Sequence, residues 1–227
     1  MPNPWARKLD HFARLSDDDR RHLNGLITRQ VAVDADMDVI SDGAVTNEVH
    51  VMIEGYACRY KILPDGRRQI TGFLFAGDFL GLAIGETYVF SAEAMEASTV
   101  CRFRKGPFRA LVANSPPLEH MLLHRTSHEL AAAQNQMLLL GRKTAIERMA
   151  SFLLDLPGHD PARPSAPGHV RLPMKRGEIA DYLGLTIETV SRVLTRMKVK
   201  GLISIPSQNE LIVERPERLR QHASGEV

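Results

Sequence analysis

From Leu118 to Leu156 the chain runs without a proline and with a single glycine, Gly141. So long a stretch, rich in Leu, Met and Ala, reads as helix, yet it exceeds one ordinary globular helix. Gly141 is the natural break, which predicts a helix over about 117–139 and a second over about 143–156. Pro116 and Pro117 suit the start, because a proline in the first turn forfeits no intrahelical hydrogen bond. A long helix between two differently patterned segments commonly buries its apolar stripe against another chain. The heptad is imperfect, with Leu118, Leu122, Ala132 and Leu139 interrupted by Arg125, Glu129 and Gln136. Pairing with a second copy is the expectation.

Upstream the period shortens. Between about Val31 and Arg104 the runs "EVHVMIEG", "YACRYKIL", "RQITGFLF" and "STVCRFRK" are β-rich and separated by "DGA", "PDG" and "AGD". Val49, Val51 and Ile53 read as alternating with polar residues at period two, as do Tyr56, Cys58, Tyr60 and Ile62, a pattern that predicts one buried and one polar face. Many short strands at such spacing predict a small barrel, jelly roll or β-roll. Ahead of them residues 5–28 read as helix, with Ser16 as N-cap, acidic residues in the first turn, and Leu23, Leu26 and Ile27 on one face. Downstream of the helices, "PGHDPARPSAPGH" (157–169) holds four Pro and two Gly and reads as a linker.

A chain of 227 residues allows one large domain or two modest ones. Hydrophobic content of 44% and charged content of 25% describe an ordinary soluble protein. No apolar run approaches the roughly 18 residues of a membrane span, and "MPNPWARKLDHF" lacks a signal-peptide core. A cytoplasmic protein with no membrane association is expected. Cys58 and Cys101 stand far apart, so no disulfide framework is implied. From Arg142 onward the chain carries 14 Lys/Arg against 10 Asp/Glu, and before it 15 against 17. That asymmetry suits a C-terminal part that faces nucleic acid.

The C-terminal part has the chemistry as well. In "MKRGEIADYLGLTIETVSRVLTRMKVKGLI" (174–203), Glu178–Leu183 forms a short amphipathic helix. Gly184 supplies a tight turn, and Thr186 can cap a second helix over about Ile187–Lys200. There Val190, Val193, Leu194 and Met197 recur at spacings of three and four and face inward, while Glu188, Thr189, Ser191, Arg192 and Arg196 project elsewhere. "GLISIPSQNELIVE" follows as two β-like runs and a turn, a wing. A helix–turn–helix lays its second helix in the major groove with the N-terminal residues at base edges. Arg192 offers a bidentate fork to guanine, Glu188 an acceptor for cytosine N4, and Ser191 and Thr189 hydroxyls for base edges. Arg176, Arg196, Lys198 and Lys200 suit phosphates, which position without specifying. On spacing alone Glu188 and Arg192 would pass for an exposed helical pair. Their place inside a complete helix–turn–wing favours DNA.

Three separated segments resemble the Crp/Fnr family of bacterial transcription regulators. "RGEIADYLGLTIETVSR" is similar to the helix–turn–helix of its Fnr branch, "QMLLLGRKTAIERMASFLLDL" to the segment after the dimer helix, and "PDGRRQITGFLFAGDFLGL" to the β-roll. The resemblance implies an α+β homodimer: a β-roll of the cyclic-nucleotide-binding jelly-roll type over 1–115, a dimerisation helix over 116–140, and a winged helix–turn–helix over 141–227. It implies that Glu188, Ser191 and Arg192 read a palindrome with half-sites like TTGAT or TTGAC, and that RNA polymerase is a partner.

What the first two-thirds of the chain senses is argued from departures. Nucleotide-binding members hold the phosphate with an Arg–Ser pair, where this chain has Phe90–Ser91; an apolar ring cannot neutralise a phosphate, and no Arg lies between Arg68 and Arg102. Iron–sulfur members need about four thiolates, and this chain has two cysteines. What remains resembles the FixK-like subgroup, which implies an activator in low-oxygen or nitrogen-oxide-linked control without its own cofactor. One alternative is a haem- or metal-dependent gas sensor. His120, His124 and His128 recur every four residues along the helix, although they drift by about 40 degrees per step. A haem-based carbon monoxide sensor of the family uses an N-terminal proline, which Pro2 would match. A second alternative is a small-molecule effector in a pocket around Phe79, Leu82, Tyr88, Phe90 and Ser91, residues that otherwise read as core. Cys101 beside Arg102 and Arg104 raises the question of a redox-active thiol. No nucleophile elbow, phosphate loop or paired-ligand zinc motif is present, so no catalytic role is expected.

Overall fold

The computed structural model describes residues 16–45, 47–82, 85–156 and 168–226. The first half of the expected N-terminal helix, Pro2 and most of the 157–169 linker lie outside the described residues. The chain divides into two compact units, Met1–Lys61 with Thr71–Ala132, and Ile62–Ile70 with Ala133–Val227.

The first described element of the N-terminal unit is α1 (Asp17–Leu26), whose cap is Ser16: its Oγ accepts from Asp19 N at 3.0 Å. Eight strands follow: β1 (Ile27–Val33), β2 (Asp38–Ile40), β3 (Glu48–Glu54), β4 (Ala57–Ile62), β5 (Arg68–Leu74), β6 (Phe79–Leu80), β7 (Ser91–Ala94) and β8 (Ser98–Arg104). They form two four-stranded sheets, ordered β1-β8-β3-β6 and β2-β7-β4-β5. The expected β-roll is present. Its inter-sheet core holds Val39, Ile40, Met52, Leu74, Leu80 and Val100.

Strand β3 of the first sheet is buried on both faces and β8 over most of its length, while the edge strand β1 is largely exposed. Val49, Val51, Ile53, Cys101 and Phe103 pack with Leu23 of α1, with Phe108 of α2 (Lys105–Ala113), and with Leu118 and Met121 of α3 (Pro116–Arg142). The intervening positions of β3, His50 and Met52, are buried as well, since they face the other way. Period-two alternation therefore marked two different cores, not a core and a solvent face. Cys58 and Cys101 are buried and not joined in a disulfide, and burial pushes the Cys101 thiol up, opposite to what a reactive cysteine needs. Arg102 and Arg104 sit on the other face of the strand from Cys101.

Helix α3 runs through Gly141 and stops at Arg142. The break lies two residues later than the glycine because Thr144 starts the next helix, α4 (Ala145–Asp155), with its own N–H bonded to Glu147 Oε2 at 2.9 Å. The residues that spoil the expected heptad have partners in their own chain. Arg125 pairs with Asp78, Glu129 accepts from Arg59 Nη1 at 2.8 Å, and Gln136 Nε2 donates to Tyr182 O at 2.7 Å. Leu118 and Leu139 are buried. The large apolar residues left exposed on this helix are Leu123, Leu130, Met137 and Leu138, 65%, 60%, 70% and 61% exposed, and the first three recur at intervals of seven.

In the C-terminal unit α4 is followed by β9 (His169–Arg171), α5 (Arg176–Leu183), α6 (Ile187–Val199), β10 (Ile203–Ser207), β11 (Glu210–Val213) and α7 (Pro216–Ser224). The three strands pair in the order β10-β11-β9. Arg148 of α4 ties the unit together: Nη2 donates to Leu140 O at 3.0 Å, Nε to Lys143 O at 2.9 Å, and Nη1 to Leu183 O at 2.8 Å. One planar fork thereby satisfies carbonyls at the ends of α3 and α5, which no helical amide can reach. Arg148→Met is expected to destabilise this unit by about 2–4 kcal/mol, read as lost hydrogen-exchange protection in α5 and α6. Arg148→Lys should restore little of it, since an ammonium cannot reproduce the fork. Full protection in either variant would show that the three bonds contribute nothing.

Candidate nucleic-acid interface

The interface is built from the end of α5 upward. Glu178 accepts from Lys175 N at the start of α5. The helix ends at Gly184, where φ is 60° and a Cβ would stand 3.1 Å from Leu140 Cδ2 and 3.3 Å from Arg148 Nη1. Both the left-handed backbone and the lack of space require glycine there. Two residues on, Thr186 caps α6, its Oγ1 accepting from Thr189 N at 3.2 Å. Val190, Leu194 and Met197 are buried, and Val193 is half-buried beside them. This burial fixes the rotation of α6. Glu188, Ser191, Arg192 and Arg196 are turned out to solvent, as the helical period dictates.

At the N-terminal end of that face the side chains are poised. The Glu188 carboxyl is held below its usual range by the helix's own backbone amide, then by the Thr186 hydroxyl, and to a lesser extent by Arg192. It is therefore an ionised acceptor. Arg192 Nη2 donates to Thr189 Oγ1 at 3.2 Å, and Thr189 Oγ1 lies 3.1 Å from Thr186 Oγ1. Thr189 is half-buried and its hydroxyl is engaged. It bridges the cap and Arg192.

Of the expected phosphate-binding residues, Arg196, Lys198 and Lys200 are exposed. Arg176 is half-buried in the first turn of α5, which leaves part of its guanidinium for a phosphate. Arg196 and Lys200 lie beside buried His222 of α7, whose pKa is lowered by burial first and then by those two cations and Arg218. Sequence reasoning passed over Ile187, 52% exposed at the first position of α6 and chemically suited to a thymine methyl. An apolar residue off the inward stripe was its only signal. Strand β9 and helix α7 were missed too. The wing has three strands because Val170 pairs with Leu211.

In the N-terminal unit, the residues expected around an effector pocket are divided. Phe79 and Leu82 pack in the helix-side core, while Tyr88 and Phe90 pack between the sheets. Ser91 Oγ accepts from Asp42 N at 3.0 Å. An arginine absent from the neighbouring sequence is present in space: Arg59, brought alongside by β4–β7 pairing, lies 5.5 Å above the Phe90 ring with its charge countered by Glu129. His120, His124 and His128 are exposed on α3, and among the described residues no group of three or more His, Cys, Asp or Glu is gathered to hold a metal. No helix among the described residues is long and apolar enough to cross a membrane.

Comparison with known proteins agrees with this geometry. Residues 147–222 match the Crp-like helix-turn-helix domain, and residues 30–115 the cyclic nucleotide-binding domain. The chain is 46% identical over 167 residues to the transcriptional activatory protein AadR of Rhodopseudomonas palustris, covering 74% of this chain and 70% of that protein. It is 44% identical over 177 residues to the nitrogen fixation regulation protein FixK of Bradyrhizobium diazoefficiens, covering 78% and 75%. Among solved structures, FixK2 from Bradyrhizobium japonicum superposes with a TM-score of 0.77 at 33% identity, covering 85% of this chain and 96% of that one. A β-roll, a capped recognition helix with an exposed Glu–Ser–Arg face, and these relatives together place the chain in the Crp/Fnr family of DNA-binding transcription regulators.

Proposed function

We propose that the chain is a homodimeric activator that reads a palindrome with TTGAT- or TTGAC-like half-sites and recruits RNA polymerase in the cytoplasm. The observation that carries this reading is the α6 face, where ionised Glu188 and Arg192 are held side by side at the end of the helix that enters a major groove. An Arg fork matches guanine and a carboxylate matches cytosine, so the two can read opposite strands of a G·C-containing half-site. Activation is supported by the names of the similar relatives, an activatory protein and a nitrogen fixation regulator, and control linked to low oxygen or nitrogen oxides is part of the same proposal.

The dimer is supported by α3. Leu123, Leu130 and Met137 recur at the heptad interval on the side that its own chain leaves uncovered. Two such helices in parallel would bury the stripe, and a dimer is what the two half-sites of a palindrome require. The β-roll then acts without a resident haem, metal or cyclic nucleotide. The Phe90–Ser91 position offers a phosphate no uncompensated cation, because Arg59 above it is paired with Glu129.

Protein purified in air and without additives should bind a TTGAT-NNNN-ATCAA duplex at stated salt, and a change at the half-site guanine should abolish that binding. Arg192→Ala should cost about 1–3 kcal/mol per half-site and relax the preference for guanine. A folded dimer with no specific binding would overturn the cofactor-free reading. Separately, Leu130→Glu should convert the dimer to a monomer in sedimentation equilibrium, because it places a charge in the seam. A persistent dimer would move the interface elsewhere.

A further inference from the structure

A cavity of about 710 Å³ opens in the N-terminal unit between the end of β2 and the β3–β8 ladder. No base-reading or heptad residue lines it. Its floor is a two-by-two array: Glu48 stands opposite Arg104, and His50 opposite Arg102, all on one face of the sheet. Lys105, the first residue of α2, adds a third cation and donates to Gly85 O at 3.1 Å. Against these stands one carboxylate. Glu48 Oε2 lies 3.6 Å from Arg102 Nη1 and 3.8 Å from His50 Nε2. The Tyr88 hydroxyl donates to Glu48 O at 2.9 Å and closes one wall.

The inner part of the array is built in, while Arg104 stands exposed at its rim. His50 is 3% exposed, and its Nδ1 has no hydrogen-bond partner; nor has Arg102 Nε. Unpaired nitrogens at such depth are uncommon and ask for a ligand or solvent. Burial, and then the Arg102 charge, hold the His50 imidazole down to about 4, so at neutral pH it is an uncharged ring with one N–H to offer. Helix α2 starts at the same rim, with Gly106 and Pro107 lining the cavity. Its first turn carries no acidic residue and no side-chain cap, so the positive end of the helix dipole is unopposed. The opposite wall, with Val39, Ile40 and Val45, is apolar.

We propose that this cavity binds a small organic oxyanion, a carboxylate or phosphate on a short apolar body. The charged end meets Arg102, Arg104 and Lys105, and the body lies against Val39 and Ile40. Phe90 and Ser91 do not line it, so the site is separate from the segment where nucleotide-binding relatives hold a phosphate. The proposal concerns binding and does not rest on how the chain reads DNA.

The test follows the His50 imidazole C–H resonances of the full chain by NMR at neutral pH. Butyrate, acetate and inorganic phosphate are titrated separately at an ionic strength held constant with sodium chloride. A saturable shift is expected. Butyrate binding tighter than phosphate identifies a carboxylate ligand, and the reverse identifies a phosphoryl ligand. Arg104→Gln, at an exposed position that leaves the fold alone, should weaken binding roughly tenfold or more. Arg102→Gln should do the same. Shifts that fail to saturate with all three probes, or that are equal in wild type and Arg104→Gln, would overturn the proposal.

Discussion

The reading surface depends on three carbonyls that share one guanidinium. Leu140, Lys143 and Leu183 each leave an oxygen beyond the reach of helical amides, and Arg148 supplies all three with N–H groups from a single rigid plane. Its position is guaranteed by Gly184, since any side chain there would press on both Leu140 and Arg148. The turn between α5 and α6 is thereby set from behind. Thr186 then sets it from in front, and Val190, Leu194 and Met197 fix the rotation of the helix that follows. Glu188 and Arg192 project correctly as the outcome of that chain of constraints. Their sequence spacing alone would not place them.

Helix α3 shows a similar division of labour around its circumference. Leu118 and Met121 belong to the core beneath the first sheet, and Arg125 and Glu129 pair with Asp78 and Arg59 of the roll. Gln136 donates to the end of α5. Of the exposed positions, Leu123, Leu130 and Met137 are apolar at intervals of seven, with Leu138 beside the last. A helix that serves its own chain on one side and offers a seam on the other cannot have a pure heptad, because two stripes of different period are superimposed on it.

That superposition explains much of what was and was not legible in the sequence. The winged module was readable because each signal is local: a glycine at a forced left-handed turn, a threonine cap, and an inward stripe at spacings of three and four. Strands β3 and β4 were readable by alternation, and β5 and β8 as β-rich runs between turn signals. Strands β2, β6, β7 and β9 span two to four residues, too few to display a period. The uncovered stripe of α3 was obscured because Leu118 and Leu139 have the same composition as Leu123 and Leu130 while facing their own chain. His50 was unremarkable in a strand whose other face was assumed wet. Arg59 was invisible beside Phe90 because 31 residues of chain separate them and only strand pairing brings them together.

The two-sided burial of β3 constrains its register. In a sheet with one wet face, slipping a strand by a single residue exchanges apolar for polar, and the penalty is spread along one surface. Here a one-residue slip of β3 would drive His50 among Phe103, Phe108 and Leu118, and would bring Val49 and Val51 against Arg102. Both faces would be wrong at once. The lone imidazole thus acts as a key for strand alignment, so that the chain reaches its register by excluding the neighbouring ones as much as by favouring its own.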